Sequence, residues 1–357
     1  VDVLVTCWDA AQFAAAREPW QQLLAHSDAD PLFMSWDWQW RWWQHHGEAL
    51  GAVLHLLAVH DDGKLVGLAP FYSRRVTTRS LRSCRLEIMG IAWRESRAVY
   101  SDYLDLIVHR DRRQAVIEAV AEWLVRERFW RELAFCSTSP AGAAAELLRT
   151  SLARRVYVRQ VDPLDGWVLR LSSRFTDYVQ ALDSDTRRKL FNQRGKLPGL
   201  IQEQASEAQL TEYLGLLRTY AQARWGEAAG GSGFEAFLDD FAAFAARSGQ
   251  LRLTRLTTAD GPLSVMFNVR VGERVYYLQS GFDPARSQGV SPGFLHFGYA
   301  IEAAIEEGAR TFDLLAGRGR HRDYKPDLLT ERVPLVTYHA VRGWRRALYG
   351  AYGRLSA

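Results

Sequence analysis

The residues best suited to chemistry lie between Gly281 and Gly293. The stretch reads Gly281-Phe282-Asp283-Pro284, then Arg286, then Gly289-Val290-Ser291-Pro292-Gly293, and it opens a helix. Ser291 is of the type that caps helix N-termini, and Pro292 suits the first helical position. A helix start presents unpaired backbone N–H groups and the positive end of the helix dipole. Gly289 and Gly293 allow close approach to the backbone, and Arg286 adds a charge-assisted contact. Arg286, Gly289, Val290, Ser291 and Gly293 therefore read as a pyrophosphate cradle, or as a capped helix with two convenient glycines. The same residues match the Gly-x-Ser-x-Gly elbow of hydrolases. That chemistry is excluded. The residue after the nucleophile must donate its backbone N–H, and Pro292 has none.

A second group follows in Phe312-Asp313-Leu314-Leu315-Ala316-Gly317 and Tyr324-Lys325. Asp313 interrupts an apolar strand, so it is paired, at the strand mouth, or functional. Lys325 is the only lysine after Lys196 in an arginine-rich chain. Its ammonium group suits a developing negative charge or an ion pair with Asp313.

The elements that must position these groups form a weak internal repeat. Leu54–Val59, Asp61-Asp62-Gly63 and Leu65–Tyr72 read as a hairpin, as do Leu251–Leu256, Asp260-Gly261 and Leu263–Val271. After the first come a strand over Tyr103–Val108, a helix over Gln114–Val125 and a strand over Arg131–Cys136. After the second come a strand over Val275–Ser280, a helix over Pro292–Glu307 and a strand over Arg310–Leu315. Both halves thus predict an α/β layer. The first half has no glycine loop: His109 to Gln114 stands in its place. Between the halves, a basic helical segment over 172–198 carries Arg187, Arg188, Lys189, Arg194 and Lys196. A helix over Glu207–Trp225 follows. Turn chemistry at Asp162-Pro163-Leu164-Asp165-Gly166 sets the boundary, giving domains 1–165 and 166–357.

The chain has 357 residues, 48% hydrophobic and 24% charged, with net charge +4, which argues against a disordered or fibrous protein. No apolar run is long enough to span a membrane, and Val1–Trp8 shows no secretory signal. Cys7, Cys84 and Cys136 are few and widely spaced, which points to a reduced, cytoplasmic compartment without a zinc cluster.

Taken in order, several pieces resemble the GNAT-type acyltransferases of the CelD-like, FemAB-related group. They are Asp102-Tyr103 with Asp105-Leu106, the helix bearing Arg187-Arg188-Lys189, Arg224-Trp225, Gly281 to Gly293, and Phe312 to Gly317 with Tyr324-Lys325. The resemblance implies tandem GNAT-like domains, each a mixed, mostly antiparallel sheet flanked by helices. The first would be degenerate, with a substrate or packing role. It implies acyl transfer from acetyl-CoA or another acyl-CoA, without a metal, to a small-molecule or glycan-precursor acceptor. N-acylation of an amino sugar or other cell-envelope or exopolysaccharide precursor fits. The alternatives are aminoacyl transfer from tRNA, as in FemAB-like enzymes, and a non-catalytic assembly protein of a polysaccharide system. Arg286, Gly289 and Ser291 keep the spacing of the GNAT phosphate motif, with Ser291 where Gly or Ala is usual. On this reading Asp313 is the base or orients the acceptor, and Lys325 stabilises developing charge. Tyr324, or Tyr276 or Tyr277, protonates the leaving thiolate. Asp102, Asp105, Arg224, Trp225 and Tyr277 contact substrate.

Other features have plainer readings. Trp36, Trp38, Trp40, Trp42 and Trp43 suit helix packing or an acceptor platform. His45-His46 lacks the spacing of a metal site. His296 reads as a helix-surface histidine. The last stretch, Arg332–Ala357, is basic. It reads as a terminal helix docked on its own domain or in peripheral contact with anionic lipid.

Overall fold

The computed structural model describes residues 3–78, 81–95, 101–225, 232–286, 289–317 and 323–343. It divides into two compact units, Val1–Leu164 with Pro334–Ala357, and Asp165–Val333.

The first unit begins with β1 (Leu4–Trp8), α1 (Ala10–Ala15), α2 (Arg17–Ala25) and α3 (Trp36–His46). Ser35 caps α3 through Trp38 N–H, and Trp38 and Trp42 are buried, so the tryptophan cluster is chiefly core. The Asp-Gly hairpin forms as β2 (Val53–Asp61) and β3 (Lys64–Thr78). Then come β4 (Leu81–Ile88), the two-residue β5 (Ile107–Val108), α4 (Arg113–Arg126), β6 (Glu132–Thr138) and the short α5 (Ala143–Glu146). Helix α4 packs on β1 to β3, where a Cβ at Gly67 would lie 2.4 Å from Val116.

Two expectations fail here. Tyr103–Val108 is not the third strand; only Ile107 and Val108 pair, and they do so with β3. The third strand is β4. Its face carries Arg85 and Glu87, which are charged yet buried, so its pattern does not read as a core strand. The boundary turn is also absent, because residues 157–170 form one strand, β7 (Tyr157–Arg170), with Asp162 at φ 47°. The unit boundary falls inside it, after Leu164.

The second unit continues with α6 (Phe175–Ala181), α7 (Ser184–Leu190), β8 (Ile201–Gln204), α8 (Leu210–Trp225) and α9 (Ser232–Arg247). Asp183 breaks the basic segment in two, capping α7 through the N–H groups of Asp185 and Thr186. The second hairpin is β9 (Leu251–Thr258) and β10 (Gly261–Val271), followed by β11 (Arg274–Phe282), α10 (Pro292–Glu306), β12 (Thr311–Ala316) and β13 (Glu331–Val341). Helix α10 lies close against α7: a Cβ at Gly298 would sit 2.3 Å from the Leu190 carbonyl.

The sheet strands of each unit follow the same plan. The first runs β1-β2-β3-β4-β6-β13 and the second β8-β9-β10-β11-β12-β7. In each, all neighbours are antiparallel except one crossover pair, β4 with β6 and β11 with β12. Such a pair needs a crossover, and α4 and α10 supply it. The strand closing each sheet follows the other repeat in the chain. From Pro334 the chain therefore joins the first unit, with Val336 to Val341 on β6, and not a second domain running to residue 357. The basic stretch 344–357 lies outside the described residues. No helix among the described residues is long and apolar enough to cross a membrane.

His296 is buried within the second unit, not on a helix surface. Its Nε2 meets Thr254 Oγ1 at 2.9 Å and its Nδ1 meets Ser264 Oγ at 2.8 Å. Burial pushes its pKa from 6.5 down to about 3. Between those values the unfolded chain binds a proton that folded His296 excludes, so stability is complete above pH 6.5 and falls on acidification towards pH 3. Urea unfolding between pH 7 and 4 should show this slope, and His296→Gln should flatten it.

Candidate active site

The site is set by where β11 and β12 part. They pair in parallel at Arg274–Thr311, Val275–Phe312 and Tyr276–Asp313. Beyond that register β11 continues to Phe282 and β12 to Ala316. Asp313 is fully buried at the last paired position. Its Oδ2 is paired with Arg274 of the neighbouring strand, and its Oδ1 accepts the Leu315 N–H at 2.7 Å. Leu315 has φ 57°, a left-handed conformation uncommon for leucine, and the pairing of β12 with β7 is irregular there.

Lys325 holds this bend from the other direction. Its buried ammonium group donates to the carbonyls of Leu314, Leu315 and Ala316 at 2.7, 2.9 and 3.0 Å. Asp313 is thus paired with Arg274. Both ionic side chains shape the backbone at the parting of the strands. Neither lines the adjacent cavity.

That cavity, about 340 Å³, lies between the end of β11 and the start of α10. Ser280 and Phe282 line it from β11, Val290 to Phe294 and Phe297 from the helix start, and Tyr324 from the far wall. Three sequence-marked cradle residues, Val290, Ser291 and Gly293, are therefore brought together with Tyr324. Tyr277 stands behind them, its hydroxyl 2.7 Å from that of Ser280 and its ring 4.9 Å from Phe297. A Cβ at Gly293 would meet nothing nearer than 3.9 Å, so this glycine leaves the cavity open rather than relieving a clash.

The helix start differs in detail from the expected cap. The Ser291 side chain makes no capping hydrogen bond. Its N–H donates to Gln193 Oε1 at 2.9 Å, while Gln193 Nε2 donates to the Gly289 carbonyl at 3.3 Å. Pro292 has no N–H, so the first-turn donors left towards the cavity are those of Gly293 and Phe294. Arg286 turns away. It pairs with Asp283 at 3.3 Å and donates to the Asp260 carbonyl in the β9–β10 turn. Among the described residues Lys189 is a nearby cation; its Nζ lies 5.7 Å from the Phe294 ring centroid and pairs with Asp185.

The other expected substrate contacts lie elsewhere. In the first unit Asp105 is buried and accepts the N–H groups of Ala143 and Ala144 at 3.0 and 2.6 Å, capping α5. Burial pushes its pKa up to about 6 against those hydrogen bonds. Asp102 is buried and accepts from the Ser137 hydroxyl. Both therefore serve the packing around β6. Arg224 and Trp225 close α8, and their side chains lie outside the described residues. Among the described residues no group of His, Cys, Asp and Glu is placed to hold a metal ion.

A second cavity, about 400 Å³, lies on the opposite face of β11. It is lined by Gln279 and by Leu214, Leu217, Arg218, Gln222, Phe234, Glu235 and Leu238 of α8 and α9. Gln279 and Ser280 are neighbours on one strand and project to opposite faces, so β11 separates the two cavities. Sequence reasoning missed Ser280, Gln193 and Gln279. They are single polar residues in ordinary elements, without a motif to mark them.

Residues 184–326 match the acetyltransferase (GNAT) domain family. The matched GNAT domain lies in the second unit and supports an acyltransferase, and the architecture is that of tandem GNAT-like folds. Among solved structures it is similar to FemX, at 10% identity and a TM-score of 0.60 over 93% of this chain and 96% of that one. It is similar to a tandem GNAT protein from the clavulanic acid biosynthesis pathway, at 12% identity and a TM-score of 0.52 over 96% and 99%. L-PGS from Bacillus licheniformis is also similar, at 13% identity and a TM-score of 0.52 over 92% of each chain. At these identities the likeness is one of fold. No curated protein sequence matches the chain.

The carbonyl cage predicts a stability effect. Lys325→Met leaves buried acceptors without their charged donor and should lower the unfolding free energy by about 3 kcal/mol. Lys325→Arg should not restore it, because a planar guanidinium does not fit three converging carbonyls as an ammonium does. Urea denaturation of the two variants tests this; stability equal to that of the parent would dismiss the cage as an anchor.

Proposed function

We propose that this chain transfers an acyl group from acyl-CoA, held where β11 and β12 part, to an amine on a cell-envelope or exopolysaccharide precursor such as an amino sugar. The observation that carries this reading is the cavity joining the α10 start to the end of β11. The N–H groups of Gly293 and Phe294, the helix dipole and Lys189 favour a pyrophosphate at its rim. The apolar walls of Phe282, Phe294 and Phe297 suit a pantetheine arm.

The acceptor enters from the second cavity and reaches the thioester through the gap where β11 and β12 part. Its amine attacks the thioester carbonyl, the C–N bond forms, and the C–S bond breaks. Backbone N–H groups on the β12 side of β11, where the two strands part after Tyr276–Asp313, face the developing oxyanion. Glu235, in the acceptor cavity, takes the amine proton. Tyr324, in the donor cavity, supplies a proton to the leaving thiolate. Asp313 and Lys325 act as positioning residues in this scheme.

A second donor, aminoacyl-tRNA, is favoured by a specific feature. Gln193 occupies the Ser291 N–H and Arg286 is turned away, so two groups expected at a pyrophosphate are already engaged. Calorimetric titration with acetyl-CoA, CoA and charged tRNA separates the donors. Micromolar CoA binding that falls at least tenfold in Gly293→Glu is the expected result, since a carboxylate there fills the cavity and repels phosphate. Salt-sensitive tRNA binding without CoA binding would replace the donor. Binding of neither would return the chain to the assembly-protein reading.

A further inference from the structure

A polar strip runs through the largely apolar sheet face of the second unit beneath α10, where a core is usually apolar. Gln202 and Gln204 of β8 stand in register with Leu256 and Thr254 of β9, and Arg252 of β9 with Asn268 of β10. Against this strip α10 presents Ala300, Ala303 and Ala304. Short side chains facing polar ones leave a cavity of about 360 Å³. That is within the size range of small-molecule sites. It is separate from the donor cavity: Ala303 lies ten residues along α10 from Gly293, roughly 15 Å of helix.

Two buried polar atoms in its walls, Asn268 Oδ1 and Gln202 Nε2, have no hydrogen-bond partner. Asn268 is only 2% exposed. Buried polar groups are otherwise satisfied in folded proteins, by protein, water or ligand. The same strip shows that this fold can satisfy them, since both nitrogens of His296 meet hydroxyls. Arg252 presents no free charge, because Glu307 accepts from its Nε through both oxygens at 2.8 Å.

We propose that this cavity binds an uncharged, hydroxyl-rich molecule of the sugar class, about a disaccharide in length. Gln202 needs an acceptor and Asn268 a donor. Their register places them two strands and four residues apart, roughly 15 Å between backbones. A ligand reaching both is elongated and offers both roles along its length. Hydroxyl groups do so, each being donor and acceptor. The alanine face of α10 leaves an apolar wall for the C–H side of a ring. The site takes a ligand whatever the acyl donor is, so it stands apart from the transfer reaction.

The test is calorimetric titration of the full chain with maltose, cellobiose and N,N′-diacetylchitobiose, with uracil as the non-sugar probe. One disaccharide per chain should bind. Asn268→Leu and Ala303→Leu should each weaken it at least tenfold, while Gly293→Glu leaves it unchanged. Ala303 is only half-buried, so Ala303→Leu fills the cavity from its rim if Asn268→Leu fails to fold. The proposal is overturned if no disaccharide binds, if binding ignores both cavity variants, or if uracil alone binds.

Discussion

The structure of the second unit depends on one parallel strand pair that is stopped early. A parallel pair continues wherever backbone geometry allows, because each further residue satisfies a donor and an acceptor. Here Tyr276–Asp313 is the last paired position, and two ionic side chains hold the ending in place. Asp313, tied to Arg274, grips the Leu315 N–H; Lys325 grips the carbonyls on either side of it. Leu315 is thereby kept in a conformation that turns β12 away. The gap is built into the fold, with buried charge used to deform a strand.

The first unit repeats the device and closes it. Arg85 and Arg274 occupy the same place in the parallel register, the first residue of each pairing, and each is salt-bridged to a carboxylate on the partner strand, Glu132 and Asp313. In the first unit the space beyond is taken. Glu87 accepts the Trp93 N–H at 2.7 Å and the Tyr72 hydroxyl at 3.0 Å, and the Trp93 ring lies over Arg85 and beside His339. Burial pushes Glu132 up, but His339 and Arg85 outweigh it and hold the carboxylate down at about 2. An ionic network of this kind fixes geometry. In this part of the first unit the buried charges serve packing.

The exchange of closing strands explains why the repeat is hard to see as two domains. Strand β7 follows the first repeat and completes the second sheet; β13 follows the second repeat and completes the first. Cutting the chain at one point cannot separate the units. The turn-forming residues around Asp162 kink a strand instead of ending it, because hydrogen bonding along the whole of β7 outweighs the local preference.

The sequence by itself determined the two hairpins, the helix opening at Pro292, the grouping of Val290, Ser291 and Gly293 at its start, and the unusual charges at Asp313 and Lys325. These rest on local chemistry: turn types, φ limits, apolar periodicity and an unusual charge in an apolar strand. Tertiary structure alone decided what those charges do. Nothing in the spacing of Asp313 and Lys325 says that Arg274 takes the carboxylate or that three carbonyls take the ammonium. Partners from distant strands made that choice. They also turned Arg286 to another loop, brought Gln193 to Ser291, and hid β4 behind buried charges that no hydrophobic pattern reveals. A side chain's type follows from its codon, but its partner follows from which strands lie side by side, and here that order was set by pairings hundreds of residues apart.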